Sequence, residues 1–497
     1  MTALNAAALA EIGERVPVPS YDRSRVVPGI VHVGVGGFHR AHQAMYLDTL
    51  MNAGKALDWG VCGVGLLPGD AAMRDAMAAQ DCLYTLVVKH PDGRLEPRVV
   101  GSMVDYLFAP DGPDAVVERM ADPATRIVSL TVTEGGYNVH PVTGEFDADD
   151  PAVRADLTDG ATPRTVFGIV TEALRRRRDR GLAPFTVVSC DNIQGNGDVA
   201  ARMFTAFARL RDPGLGDWMT DAVRFPNSMV DRITPVTSDD DRALLADRFG
   251  VEDRWPVVCE PFTQWVLEDS FGGERPPLED AGVQVVPDVH PYELMKLRLL
   301  NASHQALCYL GYLDGYRYAH EVCQDPLYVE FLLGYMTEEG SPTLAPVPGV
   351  DLEEYRRTLV ARFANAAVRD TLARLCAESS DRIPKWLVPV IRHQLAAGGP
   401  IERSALVVAS WARYAEGVDE QGEPIEVVDR RREPLMAAAR RNREDPTAFI
   451  ADRDLFGDLV DDERFVAAYT ASLRSLHERG ARATLEELVA RTRVSGG

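Results

Sequence analysis

Apolar and polar positions follow two different rhythms along this chain, and the change comes near residue 287. Before it, short β-branched runs alternate with helical stretches and with turns rich in glycine or aspartate. Residues 26–36 (VVPGIVHVGVG), 59–66 (WGVCGVGL), 83–88, 127–133, 185–189 and 283–286 read as strands. Short apolar runs bounded by turn residues favour a buried strand. Residues 38–51 and 165–178 read as helices between them, after an Ala-rich, helix-prone lead-in over 1–16. Beyond 287 the period becomes helical. Residues 291–312, 327–336, 352–363, 366–377, 385–397, 402–416, 434–443, 461–479 and 484–491 read as helices joined by short loops, apart from 340–350. The pattern predicts an α/β plus α protein, with a Rossmann-type dinucleotide-binding domain over 1–287 and a mainly α-helical substrate and catalytic domain over 288–497.

Strand, glycine turn and helix follow one another in the first domain, as a dinucleotide site requires. The turn is Gly34-Val35-Gly36-Gly37-Phe38-His39-Arg40, and Gly34, Gly36, Gly37, Phe38 and Arg40 are its candidate cofactor contacts. Glycines let the backbone approach a pyrophosphate, and the following helix offers unpaired N–H groups. His39 stands where a third glycine would complete the fingerprint. Asp70 follows the second strand, where a carboxylate accepts hydrogen bonds from a ribose 2′-OH and repels a 2′-phosphate. Its plainer reading is a turn residue in Pro68-Gly69-Asp70. Glu134 and Asn192 each follow a strand's carboxyl end, the side on which ligands gather. For Asn192 the alternative is an Asx turn before the next helix.

The helix over 291–312 carries the chain's most pointed chemistry. Pro291 suits a first turn, with Asp288 or His290 as cap. Leu294, Leu297, Leu299, Leu300, Leu307, Tyr309 and Leu310 make the helix apolar on most sides. At α-helical spacing His304 lies about 80° and Asn301 about 140° round from Lys296. An amine, a carboxamide and an imidazole thus sit in a greasy helix, which is costly unless they meet each other, water or a substrate. Burial is expected to lower the Lys296 pKa, and a nearby nicotinamide charge to lower it further. A neutral Lys296 could take a hydroxyl proton while Asn192 and Asn301 donate to the developing oxyanion. His304 could orient the lysine or hold a second hydroxyl. A partly exposed lysine beside a hydrogen-bonded Asn–His pair is the structural alternative.

Composition narrows the field. The chain has 497 residues, 46% hydrophobic and 26% charged, with a formal net charge of −22. That is an ordinary globular balance, and its acidity argues against nucleic acid or an anionic membrane as partner. Cys62, Cys82, Cys190, Cys259, Cys308, Cys323 and Cys376 stand singly, which reads as reduced thiols in a cytoplasm. No basic leader with an apolar core and no membrane-length run is visible. His32, His39 and His42 lie close in sequence, but without a companion cysteine cluster no metal site is expected.

Taken together, the motifs resemble the long-chain polyol dehydrogenases, the mannitol dehydrogenase family, over nearly the whole chain. GIVHVGVGGFHRAHQ (29–43), WGVCGVGL (59–66), IVSLTVTEGGY (127–137), FTVVSCDN (185–192), FPNSMVDRITP (225–235), WPVVCEPF (255–262) and Lys296-x4-Asn301-x2-His304 carry the likeness. The resemblance implies a metal-independent, NAD-using enzyme that interconverts a polyol and a ketose, with D-mannitol and D-fructose as the leading pair, acting as a monomer. It makes Lys296 the general acid/base, Asn192 and Asn301 the oxyanion pair, and His304 a substrate contact. Asp231 and Arg374 become binders of distal hydroxyls, Glu134 a gating carboxylate, and Asp70 the selector of NAD over NADP. Gly69 stands where relatives can carry a second acid, so that selection is expected to be weaker here. Arg382 replaces a lysine of a Ser-x-Lys-x-Pro pattern, and Glu378-Ser379-Ser380 replaces Asp-Gly-Ser. D-arabinitol oxidation and fructuronate reduction are the near alternatives, the latter through Arg374 and Arg382. A nucleotide-binding regulator without catalysis is the alternative of another class.

Overall fold

Burial on both faces makes a strand of the first β-branched run. In the computed structural model, which describes residues 1–140 and 143–495, Pro28–Val33 (β1) lies at the centre of a five-stranded sheet. Its neighbours are Gly60–Gly65 (β2), Met103–Phe108 (β3), Ile127–Leu130 (β4) and Thr186–Ser189 (β5). All four pairings are parallel, and the order is β3-β2-β1-β4-β5. That is the strand order of a Rossmann sheet up to its fifth strand. Val31, Val33, Cys62, Val64, Val128, Leu130 and Val187 form one core with helices Pro113–Ala121, Val166–Asp179 and Asn196–Arg211. On the opposite face Ile30, Val61 and Ile127 pack against helix Gln43–Asn52. Each fully buried valine or isoleucine contributes roughly 1.5–3 kcal/mol.

Three expectations need correction here. The third Rossmann strand is β3, which the sequence pattern did not single out. The run at 83–88 forms Tyr84–Lys89 in a separate three-stranded sheet, between Val257–Cys259 and Leu95–Val100. The helix expected over 38–51 is two helices, Gly37–Ala41 and Gln43–Asn52, broken at His42 (φ −126°, ψ −90°). There His42 Nε2 meets the Gln264 carbonyl at 2.9 Å.

The chain divides into two compact units, Met1–His290 and Pro291–Gly497. Helices build the second unit. Ala302–Leu313 is buried almost all round, as is Glu402–Tyr414, which packs against the long helix Glu463–Ser495. That last helix turns at Gly480 (φ +82°), merging the two segments expected at 461–479 and 484–491. Only Leu372–Cys376 of the segment expected at 366–377 is helical. Residues before it bond to the Tyr318 loop instead, with Ala319 N donating to Asp370 O at 2.9 Å. Among the described residues no helix is long and apolar enough to cross a membrane.

Candidate active site

In the first unit the glycine turn is shaped by close approach. Gly34 has φ +92°, and a Cβ there would lie 2.1 Å from the Thr131 carbonyl. Only glycine fits. Gly36 is open, since a Cβ would meet nothing closer than the Gly34 carbonyl at 3.8 Å, and Gly37 has contacts no nearer than 3.5 Å. Phe38 is half-buried and stacks on His42 with ring centroids 4.9 Å apart. Arg40 departs from its expected cofactor role. It is 2% exposed, lies over the Tyr84 ring, and donates Nη1 to the Trp255 carbonyl. Its guanidinium is spent holding the turn against the second sheet. His39 stacks on His32 with centroids 3.4 Å apart. Burial pushes His32 down to about 3 and His39 well below its ordinary value, so both are neutral at physiological pH. His32 is bound by Ser129 Oγ at 2.8 Å and Thr131 Oγ1 at 2.9 Å.

Asp70 ends a short turn, Pro68–Asp70, directly after β2. Its Oδ2 accepts from Leu67 N at 2.9 Å. The turn role and the strand-end position therefore coexist in one carboxylate. Gly69 beside it faces open space.

Glu134 and Asn192, both exposed, lie on loops that one residue ties together. Asp191 accepts from Thr133 N at 2.8 Å, Val132 N at 3.1 Å and Tyr137 Oη at 2.7 Å. Thr133 sits at φ +65°, ψ 169°, a region that non-glycine residues enter only under constraint, at a cost of about 1–3 kcal/mol. Asp191 supplies that constraint. Burial raises its pKa to about 6, opposed by the three hydrogen bonds and reinforced by the Glu134 charge. Asp191 was not among the sequence candidates, although it precedes Asn192. Its only signal was an acid at a buried strand's end. Asn196 extends the brace, donating to Asp191 O at 3.0 Å and Ser228 O at 2.8 Å. That reaches the strand Ser228–Asp231, whose last residue, Asp231, is 5% exposed.

In the second unit Lys296, Asn301 and His304 are 8%, 7% and 8% exposed on one continuous helical run. Asp288 Oδ1 accepts from His290 N at 2.9 Å at its start. The run is not a regular α-helix. His290–Met295 and Ala302–Leu313 are α-helical, but Lys296–Asn301 is a π-turn. The i→i+5 pattern corrects the offset expected from α-helical spacing, because Lys296 and Asn301 then lie about one turn apart on one side. Asn301 Oδ1 and His304 Nε2 are buried with no hydrogen-bond partner among the described residues. His304 packs on Phe363 with centroids 4.5 Å apart. Burial, then the charges of Arg374, Arg362, Arg382 and Lys296, hold its pKa well below the usual range. The imidazole is neutral.

Arg374 and Arg382 flank this face with their charges already engaged. Arg374 donates Nε and Nη2 to the two oxygens of Asp370, both at 2.6 Å. Arg382, expected to bind substrate, donates its Nη1 to the Leu375 carbonyl at 3.0 Å and the Arg374 carbonyl at 3.2 Å. It braces the Arg374 turn. All seven cysteines are free and buried. Among the described residues no group of three or more His, Cys, Asp or Glu could hold a metal ion.

A Rossmann sheet with an open glycine turn, followed by a helical unit with a buried Lys–Asn–His face, defines a two-domain oxidoreductase. Its family is equally plain. The mannitol dehydrogenase Rossmann domain matches residues 28–280 and the mannitol dehydrogenase C-terminal domain matches 288–477. The chain belongs to the mannitol dehydrogenase family. It is 50% identical to a mannitol 2-dehydrogenase of Phaeosphaeria nodorum over 488 residues, covering 97% of this chain and 85% of the relative. The Pseudomonas fluorescens mannitol 2-dehydrogenase, solved as a ternary complex with NAD and D-mannitol, superposes with a TM-score of 0.90. It is 46% identical and covers 98% of this chain and 100% of its own. A substrate-free D-sorbitol dehydrogenase gives 0.88 at 38% identity, covering 97% and 100%.

Proposed function

We propose that this chain interconverts D-mannitol and D-fructose with NAD as hydride carrier and without a metal ion. The observation that carries the reading is the buried Lys296–Asn301–His304 face, with two unpartnered polar atoms, in a chain 46% identical to an enzyme that binds NAD and D-mannitol. The first unit's residues fit the dinucleotide. Gly36 leaves its backbone open for a pyrophosphate, and Asp70 ends the short turn that follows β2, the region where a ribose hydroxyl is held in this fold. When bound, the nicotinamide ring accepts a hydride from the carbinol carbon.

The side chains manage the proton and the oxygen. Lys296, as a neutral amine, takes the proton of the reacting hydroxyl and returns it when the ketose is reduced. Asn192 and Asn301 donate amide N–H groups to that oxygen as charge develops, each contact worth a few kcal/mol in a preorganised site. Neutral His304 binds a neighbouring hydroxyl through Nε2. Asp231 and Arg374 take distal hydroxyls, and Arg382 sets the position of Arg374. Glu134 gates the proton's route to solvent. Asp370 neutralises Arg374, which favours hydroxyls over a uronate's carboxylate at that end. The likeness to D-sorbitol dehydrogenase keeps sorbitol as a second polyol, and D-arabinitol remains a family alternative.

Initial rates decide between these. Purified protein with NAD⁺ is expected to oxidise mannitol in preference to sorbitol, arabinitol and xylitol, and with NADH to reduce fructose in preference to fructuronate. A strong chelator should leave the rates unchanged. Preference for another pair would overturn the substrate assignment, and loss of activity on chelation the metal-free mechanism. Silence across the panel would favour the non-catalytic regulator.

A further inference from the structure

We propose that Tyr335 is a positioning residue for the catalytic lysine, an inference that rests on reading Lys296 as the general base. The π-turn is where the argument starts. In an α-helix the amide of Ala302 would bond the Arg298 carbonyl; here it reaches Leu297, five residues back, and Leu299. The Arg298 carbonyl thereby loses Ala302 as its α-helical donor. Tyr335, fully buried, donates its hydroxyl to that carbonyl at 3.0 Å. A side chain 37 residues away thus replaces the bond whose loss defines the turn.

Tyr335 is itself fixed. It opens a second π-turn, Tyr335–Gly340, that packs against the first. A Cβ on Gly340 would lie 2.9 Å from Leu299 Cδ2 and 3.3 Å from the Arg298 carbonyl. Glu339 accepts from Arg403 N and Ser404 N, both at 2.8 Å, which pins the second turn to the start of helix Glu402–Tyr414. The Arg298 side chain adds a further tie, donating to the Thr343 carbonyl. Lys296 and Asn301 are therefore set by a frame built around Tyr335. Without the hydroxyl, the Arg298 carbonyl regains a donor by reverting to i→i+4 bonding, which rotates Lys296 away from Asn301.

Tyr335→Phe keeps the ring and removes only the hydroxyl. The expected result is a folded protein whose kcat for mannitol oxidation falls about 10- to 100-fold, as misplacement of reacting groups does. The acid limb of its kcat/KM pH profile should move, while NADH affinity holds within about threefold. Gly340→Ala, which crowds the same turn from outside, should lower kcat in the same direction and carries the test if Tyr335→Phe does not fold. A wild-type kcat and pH profile in the folded variant, with or without a lower Tm, would overturn the proposal. Lys296→Ala run alongside separates the two claims. An inactive Lys296→Ala beside a fully active Tyr335→Phe removes only the Tyr335 role. An active Lys296→Ala removes the base assignment and the positioning role together.

Discussion

Asp70 and Gly69 make the coenzyme question one of two adjacent residues. The Asp70 carboxylate spends one oxygen on the Leu67 amide, and in the proposed ribose contact its charge would oppose a 2′-phosphate. Gly69 has open space around it, so an acid can be added there without disturbing a neighbour. Asp70→Ala is expected to narrow the ratio of kcat/KM for NAD over NADP by roughly tenfold or more, about 1.4 kcal/mol of discrimination. Gly69→Asp should widen it. Unchanged ratios in both variants would remove the ribose-contact role. The burial of Lys296, Asn301 and His304 on one helical run was readable from the apolar pattern around them. The placement of the Arg40 side chain was not, because a basic residue in a glycine turn looks the same in sequence whether it meets a phosphate or a buried tyrosine ring. Only packing against Tyr84 and Trp255 tells the two apart.

The elements were legible where local pattern decided them and illegible where distant partners did. Apolar periodicity marked β1, β2, β4 and β5 and most helices of the second unit. It could not assign the run at 83–88 to a second sheet, since strand pairing is settled by segments far along the chain. Nor could it show the π-turn, whose register depends on Tyr335. Glu339, in the second π-turn, offers a test of that frame through stability. It titrates near 4.5 without the fold, and burial lifts it to about 7 in the fold. Folding then takes up a proton between those values, so the stability linked to Glu339 is whole below about 4.5 and is lost as pH rises through about 7. Glu339→Gln lacks that slope. Its stability relative to wild type should improve from pH 4.5 to pH 8 by up to about 3 kcal/mol, measured by denaturant unfolding. A pH-independent difference would mean that Glu339 is not held protonated.

At the scale of the whole molecule, a nucleotide unit and a helical unit divide the labour. The first carries the glycine turn, Asp70, and the loops of Glu134 and Asn192 that Asp191 joins. The second carries Lys296, the amine to which the proposed mechanism gives the proton. Members of one family share this plan while their names record different polyols, which is why the fold fixes the reaction type more firmly than the substrate. What is common to every polyol reading is Lys296. The measurement that bears on it most directly is the pH dependence of NADH formation from mannitol, with wild type and Lys296→Ala compared and NADH binding followed in parallel. Wild type should show kcat/KM rising with pH to a plateau. The variant should bind NADH normally, lose turnover by about 10²-fold or more, and lose the acid limb. Near-normal turnover in the variant, with the limb intact, would contradict a lysine base.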